Sequence, residues 1–202
     1  MGMRLNEVIL SRELDISRGS LRVALRQLET EGLVTNFPYK GTFVRSITEQ
    51  DVAEIYEIRT LIETFAATKS MSYLTSDLLS EMEDLAIANH DYIKQGNIEK
   101  AVEVDFRFHE IPVKHAHNSR LIGTWTDYYN DVIRVVILST TMKHDRAYSE
   151  HTAIVSAFRN KNLNNVITAL RYHLSQSQDI CLLALNTKVR ESKASSERRK
   201  KL

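Results

Sequence analysis

Four side chains of the types that bind divalent metal ions stand out in the second half of the sequence. Asp105 and His109 are four residues apart, so on a helix both side chains leave the same face. His151 and His173 lie in two later segments with helical periodicity. One carboxylate and three imidazoles suit Zn²⁺, Ni²⁺, Mn²⁺ or Fe²⁺. Taken singly, an Asp-x-x-x-His pair is more often a surface pair, and a buried histidine is more often only hydrogen-bonded.

A second chemical pattern lies near the N-terminus, where three arginines share one helical stripe. Arg18, Arg22 and Arg26 are spaced i, i+4 and i+8, and apolar residues occupy another stripe of the same segment. Arginines on the outer face of a helix suit the major groove of DNA, where they bind guanine or phosphates. A solvated basic face accounts for the spacing equally well, so the surrounding elements must decide.

The elements around these arginines predict a winged helix-turn-helix. Apolar spacing predicts one helix over 5–14 and a second over 18–31, with Ser17 as its N-cap and Gly32 ending it. Two short β-prone runs flank a Pro-Tyr-Lys-Gly turn in 33–45, which indicates a hairpin. Helix, short turn, helix and hairpin is the layout of a winged helix-turn-helix domain.

The remainder of the chain predicts an all-α bundle. Six helices are expected, at about 49–71, 75–96, 98–115, 118–142, 146–160 and 163–187. The fold class is therefore mainly α, with a DNA-binding domain at 1–46 and an all-α domain at 47–187. Residues 188–202 are basic and poor in apolar side chains, which predicts a disordered tail.

Composition narrows the class of protein. The chain has 202 residues, a formal net charge of +1 and one cysteine. It has no apolar run of the ~20 residues that cross a bilayer and no apolar segment typical of a secretory signal, so we expect a cytoplasmic protein without membrane contact. Because the charge is nearly balanced, nucleic-acid binding must depend on a few placed arginines.

Residues 5–44 closely resemble the GntR family of bacterial regulators. The resemblance lies in Leu14-Asp-Ile-Ser-Arg-Gly-Ser-Leu-Arg-Val-Ala-Leu-Arg-Gln-Leu-Glu-Thr-Glu-Gly-Leu-Val34 and Lys40-Gly-Thr-Phe-Val44. It implies that Arg18, Arg22 and Gly41 contact operator DNA, and Lys40 suits a phosphate contact. Family members usually carry one more helix before this segment, so we expect a chain that lacks it to bind DNA weakly.

Residues 51–187 resemble the FadR C-terminal domain (FCD) that follows such DNA-binding heads. The matching segments are Ile55-Tyr-Glu-Ile-Arg-Thr-Leu-Ile-Glu63, Asp105-Phe-Arg-Phe-His109, Asn118-Ser-Arg-Leu121 and the two later histidines. In the metal-binding branch of this domain, the positions that match Asp105, His109, His151 and His173 hold a divalent ion. Some members lack the histidines and bind acyl-CoA instead. This chain has all four residues, so the resemblance implies the metal-binding branch, with zinc favoured.

Together the resemblances imply a homodimeric transcription regulator, more commonly a repressor, whose bound metal receives a small carboxylate or hydroxy acid. Arg59 and Arg134 are our candidates to hold the other end of that anion. An ion pair between Arg59 and Glu63, four residues later, accounts for Arg59 equally well. Two alternatives use the same ligands: a metal-dependent enzyme and a metal sensor without an organic effector. An enzyme would need a general base near the ligands, and only Glu110 and Glu150 are available for that role.

Overall fold

The chain folds into two compact units that meet in sequence between Ile47 and Thr48. The computed structural model describes residues 2–140 and 146–200, with the backbone alone for 139 and 188–200. The first unit holds two helices and a hairpin, and the described part of the second holds helices only. The predicted class, a winged helix-turn-helix followed by an all-α domain, is confirmed. No helix in the described ranges is long and apolar enough to cross a membrane.

The helix-turn-helix consists of α1 (Glu7–Glu13) and α2 (Arg18–Thr30). The side chain of Asn6 accepts hydrogen bonds from the first backbone N–H groups of α1, so this helix begins two residues later than its apolar spacing predicts. Ser17 caps α2 as predicted, accepting a 3.0 Å bond from the Ser20 N–H. Asp15 takes a left-handed φ of 51° in the turn, a conformation that Asp tolerates better than most residues.

The wing is an antiparallel hairpin of β1 (Val34–Phe37) and β2 (Gly41–Val44). Residues 3–5 pair along the other edge of β2, with the Leu5 N–H donating to the Thr42 carbonyl at 2.9 Å. The sequence analysis missed this third short strand, because three residues are too few for a β-period. Leu21, Leu25 and Val34 form the buried core of the unit.

The second unit contains α3 (Glu49–Ser70), α4 (Ser76–Gln95), α5 (Ile98–Lys114), α6 (Ser119–Asp127), α7 (Tyr129–Thr140), α8 (Arg146–Arg159) and α9 (Leu163–Lys200). A capping box between Thr48 and Asp51 starts α3 as predicted. Two apolar clusters fill the unit: one joins α4, α5, α8 and α9 with Ala67 of α3, and the other joins α3, α5, α6 and α7. Helix α5 contributes to both, so its side chains reach the centre of the bundle.

One predicted helix is wrong. The helix expected over 118–142 divides at Tyr128, so the described bundle has seven helices rather than six; residues 141 and 142 lie outside the described ranges. The sequence has neither Gly nor Pro at this point. The break lets α6 place Trp125 and α7 place Val132 in the same apolar cluster. The backbone of residues 188–200 continues α9, and the disordered tail expected over 188–202 stays a prediction.

Candidate metal centre and recognition helix

Three helices bring the four metal-ligand candidates together in the centre of the bundle. Asp105 and His109 come from successive turns of α5, His151 from α8 and His173 from α9. All four are buried, and His151 is fully enclosed. One ligand atom from each lies within 4.8 Å of the others. Two ligands on opposite sides of an ion with ~2.1 Å bonds are about 4.2 Å apart, so small shifts would close this set around a metal.

Buried carboxylates orient two of the imidazoles. Nδ1 of His109 lies 2.7 Å from Oε2 of Glu63, and Nδ1 of His173 lies 3.0 Å from Oε2 of Glu150. A carboxylate on one ring nitrogen fixes the tautomer and leaves Nε2 as the metal ligand. The sequence analysis missed this role for Glu63 and Glu150. Glu150 directly precedes His151, and Glu63 lies one helical turn after Arg59. Glutamates are common at such positions in proteins that bind no metal, so neither spacing indicates this role.

Several buried nitrogens of the cluster have no hydrogen-bond partner among the described residues. They are Nε2 of His109 and both ring nitrogens of His151; the closest carboxylate oxygen to His151 is Oδ1 of Asp105, 3.5 Å from Nε2. Buried polar atoms without a partner are rare and costly. A metal ion bound by the two Nε2 atoms would satisfy two of these three nitrogens and leave Nδ1 of His151 as it is. The residues present therefore fit a divalent metal ion.

Burial favours the metal-binding form of two imidazoles of the cluster and disfavours that of the Asp105 carboxylate. Burial lowers the pKa values of His109 and His151 well below their usual range, so both imidazoles are neutral at pH 7. Burial raises the pKa of Asp105 to about 6, although the nearby Arg59 guanidinium opposes this shift. Neutral imidazole and ionised carboxylate are the forms that bind metals.

Arg59 lies at the edge of the same cluster. Its Nε donates to Oε1 of Glu63 at 2.5 Å, so the predicted alternative of an ion pair within α3 is present. Its Nη2 is buried without a hydrogen-bond partner among the described residues, 4.0 Å from Oδ2 of Asp105. Arg59 therefore keeps a free donor toward the cluster while it is held by Glu63.

The second effector candidate, Arg134, lies on α7 and is half-buried. Its Nη1 donates to Oδ1 of Asp131 at 3.2 Å, three residues earlier on the same helix. Its described contacts do not include any of the four ligand candidates, so its role stays a prediction.

The space beside the cluster is small. A cavity of about 10 Å³ lies against Glu63 and His109 and is otherwise lined by apolar side chains. This is about the volume that one water molecule needs. A carboxylate larger than a water molecule can enter only if neighbouring side chains move.

The predicted DNA-contacting residues lie on the surface of the first unit. Arg18, Arg22 and Arg26 are all exposed along α2. Arg22 is held by α1, since its Nε lies 2.9 Å from Oε2 of Glu7. At the wing, Lys40 is exposed and Gly41 has a φ of 96°, a conformation that favours glycine.

Two family profiles match the chain. Residues 1–44 match the profile described as bacterial regulatory proteins, gntR family. Residues 54–176, more than half of the chain, match the FCD domain. The two matched regions lie on either side of the boundary between the two structural units.

Curated relatives and solved structures agree with these profiles. The HTH-type transcriptional regulator YdhC of Bacillus subtilis (strain 168) is 30% identical over 165 residues, 80% of this chain and 73% of that protein. The gluconate operon transcriptional repressor of the same organism is 24% identical over 185 residues, covering 88% and 76%. The metal-free FCD domain of TM0439 shares the fold with a TM-score of 0.60 at 17% identity, covering 71% of this chain and 99% of that one.

Proposed function

Because the chain belongs to the GntR family of transcription regulators and carries an FCD domain, we propose that it is a metal-dependent, metabolite-responsive repressor. It acts in the cytoplasm as a homodimer on operator DNA. The matched domains and relatives are regulators, so the protein is not an enzyme and the hydrolytic alternative is set aside. The name of one relative, a gluconate operon repressor, supports repression as the output.

The DNA-binding half of the proposal depends on α2 and the wing. Arg18, Arg22 and Arg26 are exposed on one helix whose buried face holds it against the wing. In a winged helix-turn-helix this helix enters the major groove, and Lys40 and Gly41 then reach the sugar-phosphate backbone. Two such heads in a homodimer fit a pseudo-palindromic operator.

The metal half is supported by one observation above all: three ring nitrogens of His109 and His151 are buried without a hydrogen-bond partner in the described structure. We propose that these two histidines, with Asp105 and His173, hold a divalent transition-metal ion. Zinc suits a set of imidazoles and one carboxylate, and nickel, manganese and iron use the same ligands. A bound ion would supply a positive centre that can take an oxygen ligand.

The proposed effector is a small carboxylate or hydroxy acid. One end of the anion would bind the metal and the other would accept a hydrogen bond from Nη2 of Arg59, which lacks a partner among the described residues. Arg134 is the second candidate for this contact. The cavity beside Glu63 and His109 is about 10 Å³, so an effector that enters there would open the bundle at this point. That opening would be the signal passed to the DNA-binding heads.

The small cavity also favours a second candidate, a metal sensor without an organic effector. Three measurements on the purified protein separate the two candidates. Mass spectrometry measures the metal content after dialysis with and without EDTA, and calorimetry measures the binding of acetate, lactate, malate and citrate to the zinc-loaded protein. Gel shifts with DNA selected from a random pool measure DNA binding. Carboxylate binding that changes DNA affinity supports the effector model. Zinc-dependent DNA binding without any carboxylate binding supports the sensor, and failure to retain any metal contradicts both.

Replacing Glu63 with glutamine should lower zinc affinity by about 10- to 100-fold, the usual effect of losing a carboxylate behind a metal-bound histidine. The glutamine keeps the size of the side chain but cannot stabilise the His109 ring as a carboxylate does. Competition with a fluorescent chelator measures the affinity. Glu81→Gln is the matched control, since Glu81 pairs with Arg107 on the surface. Unchanged zinc affinity in Glu63→Gln would contradict the assigned role.

Replacing Arg59 with lysine should lower the affinity for the tightest-binding carboxylate of the calorimetry panel by about 10- to 100-fold. Lysine keeps the charge but lacks the planar guanidinium that donates two parallel hydrogen bonds to a carboxylate. Zinc affinity should change less, since the ligands themselves remain. Arg107→Lys, on the surface, is the matched control. Equal carboxylate affinity in Arg59→Lys and the wild type would remove Arg59 from the effector site.

A further inference from the structure

A chain of contacts links His173 on α9 to the protein surface at the start of α8. Nδ1 of His173 lies 3.0 Å from Oε2 of Glu150, and Oε1 of the same carboxylate lies 3.7 Å from Nε of Arg146. The Glu150 side chain is 7% exposed, whereas the Arg146 side chain is 54% exposed. The contacts therefore run from solvent, through a buried carboxylate, to one of the four proposed metal ligands.

His109, another of these ligands, has a chain of contacts with the same arrangement. Nε of Arg59 donates to Oε1 of Glu63, and Oε2 of Glu63 lies 2.7 Å from Nδ1 of His109. In both cases the arginine lies four residues before the glutamate, and the glutamate reaches a histidine on another helix. This repetition at two ligands of one cluster indicates that Arg146 has a role at His173.

Arg146 also binds α9 on both sides of His173. Its Nη2 donates to the hydroxyl of Tyr172 at 2.9 Å and to Oε1 of Gln176 at 2.5 Å. Tyr172 directly precedes His173, and Gln176 follows it by three residues. One guanidinium at the first residue of α8 therefore holds the part of α9 that carries the histidine. An isolated surface ion pair makes no such set of contacts between two helices.

We propose that Arg146 is a positioning residue of the candidate metal centre, which acts through Glu150 to orient the imidazole of His173. These three residues are called here the α8 triad. The inference rests on the proposed metal site and adds a residue that is not itself a ligand. The Arg146 guanidinium offsets part of the cost of burying the Glu150 carboxylate. The carboxylate in turn holds the proton of His173 on Nδ1 and leaves Nε2 for the ion.

Replacing Arg146 with glutamine should lower zinc affinity by about 3- to 10-fold, between the effects of losing an exposed ion pair and of losing a carboxylate behind a metal-bound histidine. Competition with a fluorescent chelator measures the affinity. Arg159→Gln is the matched control and should bind zinc as the wild type does. Arg159 lies on the same helix, its side chain is 47% exposed, and it pairs with Glu83 of α4.

A double-variant cycle tests whether Arg146 acts through Glu150. Glu150→Gln alone should lower zinc affinity by about 10- to 100-fold. Adding Arg146→Gln to Glu150→Gln should then cause no further loss, whereas residues that act independently give additive effects. Additive losses overturn the proposal, and so does an Arg146→Gln variant with the zinc affinity of the Arg159→Gln control.

The metal-free protein gives a second measurement that does not depend on zinc. Long-range proton–nitrogen NMR of the imidazoles should show the His173 proton on Nδ1 in the wild type and in Arg159→Gln. In Arg146→Gln the tautomer with the proton on Nε2 should become more populated, because the hydrogen bond to Glu150 selects the tautomer. An unchanged His173 tautomer in Arg146→Gln overturns the proposal. A wild-type protein that retains no zinc overturns the proposed metal site, and the tautomer then decides whether Arg146 orients His173.

Discussion

Replacing His151 with alanine is expected to reduce zinc affinity by about 10²- to 10³-fold, because one of four ligands that together contribute about 10–16 kcal/mol is lost. His151 is fully enclosed, and its ring lies 4.5 Å from the His173 ring and 5.3 Å from the His109 ring, centroid to centroid. Zinc affinity is measured by chelator competition, and metal content by mass spectrometry after gel filtration.

The same substitution should remove the effect of zinc on thermal stability. An ion that binds only the folded state stabilises it, so EDTA should lower the melting temperature of the wild type and leave that of His151→Ala unchanged. His90→Ala is the matched control, since His90 stacks on Tyr148 away from the cluster, and it should respond to EDTA as the wild type does. Stoichiometric zinc in His151→Ala would show that the ion, if any, lies elsewhere.

Replacing Arg18 and Arg22 together with alanine is expected to lower the affinity for selected operator DNA by about 10²-fold or more, since each arginine contact is worth about 1–3 kcal/mol. Both side chains are exposed on α2, so their removal costs the fold little. In the free protein Arg22 is paired with Glu7, and DNA must compete with that pair. Fluorescence anisotropy with labelled operator measures the loss.

Salt dependence separates the two roles an arginine can have on DNA. A lost phosphate contact should reduce the slope of log affinity against log salt by about 1, whereas a lost base contact should relax sequence preference at one position. Arg107→Ala, which removes a surface arginine of the helical unit, is the control and should bind operator as the wild type does. Normal operator binding by the double variant would remove α2 from the DNA interface.

Sequence patterns predicted the two helices and the hairpin of the DNA-binding unit, although not the short pairing of residues 3–5 with β2. Apolar residues at helical spacing predicted α1 and α2, and Ser17 marked the start of α2 because a cap acts on N–H groups only two or three residues away. The Pro-Tyr-Lys-Gly turn predicted the hairpin for the same local reason. All of these signals come from neighbours within about one helical turn or one β-turn.

The assembly of the candidate metal centre could not be predicted from local sequence patterns. The spacing of Asp105 and His109 predicted a common face of one helix, but only the family resemblance joined them to His151 and His173. The packing of α5, α8 and α9 brought the four within 4.8 Å. The hydrogen bond between Glu63 and His109 spans 46 residues of sequence, so no local pattern could have identified it.

The boundaries and faces of the helices were likewise decided by packing. The sequence by itself determined that 49–71 is a helix, but which side of α3 is buried depends on the helices around it. Those neighbours enclose Arg59 and Glu63 and leave Leu61 exposed. Tyr128 ends α6 without Gly or Pro, since Trp125 and Val132 must reach one apolar cluster. Helix formation follows from residues three or four apart, whereas burial follows from residues far apart in sequence, and only the folded chain brings those together.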